Sequence, residues 1–159
     1  MSEKIASADF VDLMQECFSR GLDVTFTPSG TSMLPMLDGR TDMVTLSPKQ
    51  QRLKKYDVAF YQRQKTGQLV MHRVVGFTKS GGYIFCGDNQ YAYEYGVEHD
   101  DVLALMTSFT HRGKKRDVNA FSYRLYIHRM MLKKRSRKFI SKAYHFLIDR
   151  IKPSHSNTK

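Results

Sequence analysis

Between Val24 and Thr110 the chain never keeps one hydropathy pattern for long, and this limits it to short extended elements. Val24, Phe26 and Pro28 alternate with Asp23, Thr25 and Thr27, and β-type runs follow over 43–46, 57–62, 69–75, 83–86 and 102–110. The separators are turn-formers: Asp38-Gly39, Ser47-Pro48, Thr66-Gly67 and Ser80-Gly81-Gly82. Runs this short, so closely spaced, cannot cross over through helices into a parallel sheet. They predict a compact, mostly antiparallel β-domain. The flanks read differently. Phe10, Leu13, Met14, Cys17 and Phe18 mark one face of a helix over 7–20, with Ser7 to cap it and Gly21 to end it. Residues 121–152 carry few turn signals and read as helix, in one piece or two, up to Pro153. The expected organisation is an N-terminal helix (1–22), a β-domain (23–113) and a basic helical tail (114–159). The fold class is mainly β with flanking helices.

Charge follows the same division. The 159 residues hold 26 Lys and Arg against 15 Asp and Glu, a net of +11. Residues 1–110 are nearly balanced, with 11 basic and 13 acidic side chains, whereas 111–159 hold 15 basic and two acidic ones. Any argument from charge to a partner is therefore an argument about the tail. The tail has no helix-turn-helix or base-stacking motif to give nucleic acid a specific reader. It does place Ile140, Tyr144, Phe146, Leu147, Ile148 and Ile151 beside Lys and Arg, as helices lying on anionic membranes do. Two cysteines, Cys17 and Cys86, make neither a disulfide framework nor a Cys-rich metal site and read as reduced, packed thiols. The longest aliphatic stretch, 102–106, is far short of a membrane span, and the N-terminus has no signal-peptide run. The expectation is a cytoplasmic protein, with peripheral attachment to a membrane through the tail.

Three segments could do chemistry. In Gly30-Thr31-Ser32-Met33-Leu34-Pro35-Met36-Leu37, Gly30 would let the backbone approach a ligand and Ser32 presents a hydroxyl. The same residues could simply form a turn after a strand. A serine hydroxyl needs a neighbouring base before it is a nucleophile. Of the six histidines only His72 lies inside an expected strand, with Met71 and Arg73 on the opposite face. It is a base or a structural histidine; no second ligand at metal spacing surrounds it. Cys86-Gly87-Asp88-Asn89 places a carboxylate in a turn, either to orient the histidine or to bond nearby N–H groups.

Taken in order, GTSMLPML, LKKYDVAFY, VMHRVVG and YIFCGDN resemble the boxes of the type I signal peptidase family, to which the LexA-type self-cleaving repressors are distantly related. The resemblance spans most of the β-domain. It implies a LexA/signal-peptidase-like fold and a serine endopeptidase without metal or organic cofactor. Ser32 takes the nucleophile position, His72 the base position, and Gly30, Met33 and Pro35 the start of the substrate groove. A histidine base resembles the archaeal and endoplasmic-reticulum type. Asp88 matches that type's Gly-Asp-Asn carboxylate, and Glu94 stands near a second acidic position, so either could serve His72. The family's membrane anchor is missing and a basic tail is added, a layout similar to small cytosolic members that accompany ribosomally made, modified peptides. The implied partner is a peptide or leader-bearing precursor. The competing expectation is a non-catalytic peptide-binding, nucleic-acid-binding or membrane-binding module on the same fold.

Overall fold

The computed structural model describes residues 7–134 and 136. Helix α1 (Ser7–Ser19) is followed by strands β1 (Val24–Phe26), β2 (Val44–Pro48), β3 (Val58–Gln62), β4 (Leu69–Phe77), β5 (Tyr83–Cys86), β6 (Glu94–Val97), β7 (Val102–His111) and β8 (Lys114–Asp117). A second helix, α2, runs over 121–134. The eight strands form one sheet in the order β1-β2-β7-β3-β4-β5-β6, with β8 paired to β7. Every pairing is antiparallel.

Period-two alternation gives the middle of the sheet two different faces. Val58, Phe60 and Met71 join Met33, Met36, Leu37, Met14, Tyr123 and Ile127 in one core. Ala59, Tyr61, Val70 and Val74 join Tyr83, Phe85, Val97 and Val102 in the other. Helix α1 covers the first face, where the Phe10 ring meets Phe26 at 5.0 Å and Phe60 at 5.9 Å, both edge-on. It ends as the glycine signal predicts. Gly21 takes φ +73, its N–H reaches Phe18 O, and the Leu22 N–H reaches Cys17 O, which satisfies the last carbonyls.

Two strands escape sequence reading. Strand β8 is exposed at all four residues, Lys114 to Asp117, so it carries no apolar alternation. It exists because Arg112 (φ 52) and Gly113 (φ 75) make a tight left-handed turn that folds the chain back along β7. The β-region thus runs past residue 113, where the sequence placed a boundary. Strand β6 contains Gly96 at φ +76 and pairs irregularly with β5, so hydropathy gives it no signal either. Ser47-Pro48, expected as a separator, closes β2 instead. Helix α2 is no loose appendage, because Tyr123 and Ile127 are only 7% and 6% exposed and complete the first core. The expected helical stretch beyond this, including the apolar residues 140–151, lies outside the described residues. Among the described residues no helix is long and apolar enough to cross a membrane.

Candidate active site

Ser32 sits in a turn between β1 and β2 that the sequence builds with glycines and apolar anchors. Gly30 adopts φ +96, a left-handed backbone that other residues resist. Met33, Met36 and Leu37 plug into the core and fix one side of the turn. The other side is tied to the loop after β5: the Asn89 N–H donates to Ser32 O at 2.8 Å, and the Asn89 amide reaches Thr31 O at 3.2 Å. A Cβ on Gly87 would lie 2.6 Å from Ser32 O, so the two loops can meet only through a glycine. Ser32 itself is partly exposed.

His72 lies in mid-β4, paired with Ala59 of β3, and is 3% exposed. It and Ser32 line the same cleft, of about 480 Å³. Gly30 and Met33 line it too, as the sequence reading expects. Pro35 does not: it borders a neighbouring cleft with Leu34 and Asp88. No hydrogen bond joins Ser32 to His72 among the described residues.

The two carboxylates expected near His72 separate cleanly. Arg73 follows His72 and therefore points to the opposite face, and it is Arg73 that holds Asp88. Its Nε and an NH2 group donate to the two Asp88 oxygens at 2.8 and 2.7 Å, with both side chains fully buried. The second Arg73 NH2 group donates to Tyr56 O and to the Tyr123 hydroxyl, and Tyr126 adds a long bond to Asp88 at 3.4 Å. Burial opposes the Arg73 charge, but Asp88 more than offsets it and the guanidinium stays firmly protonated. Asp88 makes no hydrogen bond to His72.

Glu94 is the carboxylate on the histidine's side. Its Oε2 lies 3.7 Å from His72 Nδ1, and the Tyr61 hydroxyl bridges the gap, 2.9 Å from Glu94 Oε2 and 3.2 Å from His72 Nδ1. Arg63 grips Glu94 with two hydrogen bonds of 2.6 and 2.7 Å. Those bonds hold the Glu94 carboxyl below its ordinary range, so it is ionised and can only accept. Tyr61 has one hydroxyl hydrogen, and Glu94 takes it. The Tyr61 oxygen must then accept from His72, which places the histidine proton on Nδ1. Nε2 is left with its lone pair. Among the described residues Nε2 has no hydrogen-bond partner, and His72 lines the cleft that Ser32 also lines. Burial lowers the His72 pKa below the ordinary value against the pull of Glu94, which keeps the ring neutral at neutral pH. Burial, then the Glu94 bond, raises the Tyr61 phenol well above its usual range. A neutral imidazole with Nδ1 anchored and Nε2 open can take a proton from a hydroxyl in the cleft.

Tyr61 and Arg63 were not picked out by sequence reading. Tyr61 pairs with Val70, diagonal to His72 on the same face, and stacks on Phe85 at 4.5 Å. Its place beside His72 is set by the register between β3 and β4. Among the described residues, no group of three or more His, Cys, Asp or Glu could hold a metal ion. No protein-family model matches this chain, and no curated protein or solved structure matches it either.

Proposed function

We propose that the protein is a serine endopeptidase resembling signal peptidase, which cuts a peptide or leader segment by a Ser–His mechanism. The observation that carries this reading is the Tyr61 bridge from Glu94 to Nδ1 of His72, a residue that lines the same cleft as Ser32. This arrangement favours the proton on Nδ1 and a free lone pair on Nε2. Nε2 takes the Ser32 proton as the oxygen attacks the scissile carbonyl, then gives it to the leaving amine. A water activated in the same way frees the acyl group from Ser32. The imidazolium formed in between is stabilised through Nδ1–H, Tyr61 and the Glu94 carboxylate. The Ser32 N–H and a donor near Gly30 receive the oxyanion. Asp88 supports the site from the other face by holding Arg73, and through Gly87 and Asn89 it fixes the loop that carries the Ser32 turn. The chain works in the cytoplasm, with the basic residues beyond 136 suited to an anionic membrane surface.

A second reading, a peptide-binding groove without turnover, is favoured by the missing Ser32–His72 hydrogen bond. Such bonds are often long in unliganded enzymes and tighten on substrate. Incubation with peptides encoded beside the gene, followed by mass spectrometry, separates the readings. The peptidase gives a single cut that both Ser32→Ala and His72→Ala abolish. A cut that survives Ser32→Ala rules the mechanism out.

A further inference from the structure

Beside the Ser32–His72 cleft lies a second one, of about 560 Å³, between the Ser32 turn and α2. Asn89 lines both, so the two adjoin at that residue. Leu34 and Pro35 form one wall, only two and three residues past Ser32, and Tyr126 and Met130 form the other. The floor and walls are therefore largely apolar, but the charge is one-sided. Arg129 and Lys133, four residues apart on α2 and hence on one helical face, are both exposed. Neither has an ion-pair partner among the described residues. Lys134 is committed to Gly87 O at 2.6 Å. Among the described lining residues the one carboxylate, Asp88, is already neutralised by Arg73 from behind. Two cations thus face an apolar groove with no free acid among the described residues that line it.

We propose that this groove binds the part of the substrate peptide flanking the scissile bond, and that it selects a segment with acidic residues among apolar ones. The inference rests on the peptidase reading and names its substrate class. The apolar side chains of the segment would lie against Leu34, Pro35, Tyr126 and Met130, and its carboxylates would answer Arg129 and Lys133 at the rim. Rim charges of this kind contribute more to selection and capture than to raw affinity.

The test uses the full chain carrying Ser32→Ala, so that nothing is cut, and fluorescein-labelled decapeptides alternating Leu with Glu, Gln or Lys. Fluorescence anisotropy at low salt reads the dissociation constants. The Glu peptide is expected to bind about tenfold more tightly than the Gln peptide, the size two exposed ion pairs supply together, with the Lys peptide weakest. Arg129→Glu with Lys133→Glu should erase that preference. The same charge change at Arg112 and Lys115, which lie on the β7–β8 turn and do not line the groove, should leave it in place. All four side chains are exposed, so unchanged urea unfolding midpoints will show that the fold is kept. Equal binding of the Glu and Gln peptides, or equal loss in both double variants, overturns the proposal. So does a result in which the Arg129/Lys133 reversal weakens binding to phosphatidylglycerol vesicles but not to the Glu peptide, which would assign the surface to a membrane. Failure of the peptidase reading would look different: the Glu peptide would still bind selectively while wild-type Ser32 resisted acylation.

Discussion

Two arginine–carboxylate pairs sit on opposite sides of the sheet, and their chemistry is identical while their tasks are not. Arg73–Asp88 is closed off completely, under Tyr123 and Tyr126 of α2. Arg63–Glu94 stands at the mouth of the cleft, its side chains 33% and 21% exposed, and passes its influence through Tyr61 to His72. A sealed pair can fix a structure, but it cannot follow a proton. A pair in partial contact with solvent, joined to a titrating ring by one hydroxyl, can hold that ring in a chosen tautomer and stabilise it when it charges. The face of the strand, set by one step in sequence from His72 to Arg73, decides which pair does which.

The largest expected difference is in stability. Asp88→Ala strands a buried guanidinium and should cost about 3–5 kcal/mol in urea unfolding. Glu94→Ala leaves a half-exposed arginine that water can reach, and should cost less than about 1 kcal/mol. Comparable losses in the two variants would erase the distinction drawn between the pairs. Next in size is Tyr61→Phe. It keeps the ring stack on Phe85 and deletes only the bridge, so acylation of Ser32 should slow by about tenfold, the worth of one orienting hydrogen bond. An unchanged rate would mean that Glu94 acts on His72 without the tyrosine.

The smallest effects are shifts in pH dependence. Because burial depresses the His72 pKa, acylation should rise with pH through a limb below the ordinary histidine value of about 6.5. Glu94 raises the His72 pKa and Arg63 lowers it. Glu94→Gln should therefore move the limb to lower pH and Arg63→Gln to higher pH, both read from pH–rate profiles. Shifts in the same direction would break the assignment.

Much of this architecture was legible in the sequence, for physical reasons that also mark where legibility stopped. Strand β7 announces itself by alternation, β3 and β4, buried on both faces, by short apolar runs between turn-formers, and α1 by its apolar stripe and Gly21. Ser32 and His72 were candidates by residue type, and the order of the four segments that resemble the signal peptidase boxes singled them out. The choice between Asp88 and Glu94 was not legible. Parity puts Arg73 opposite His72, but only the path of the loops shows which carboxylate follows which face. Tyr61 looked like one more aromatic in a strand, since its diagonal relation to His72 depends on the register set by the Thr66-Gly67 turn. Helix α2 looked like a basic tail because its charges outnumber the two buried residues, Tyr123 and Ile127, that dock it.

The central claim is that His72, held from the Glu94 side, activates Ser32. It is tested most directly by labelling with a fluorophosphonate and locating the adduct by peptide mapping, in wild-type protein, His72→Ala, Glu94→Gln and Asp88→Asn, all at a temperature where each is folded. The account predicts a single adduct on Ser32, slowed by about 10²–10⁴-fold in His72→Ala, as loss of a general base requires. It also predicts a slower rate in Glu94→Gln than in Asp88→Asn. No adduct on Ser32, or one that forms as fast without His72, would contradict it.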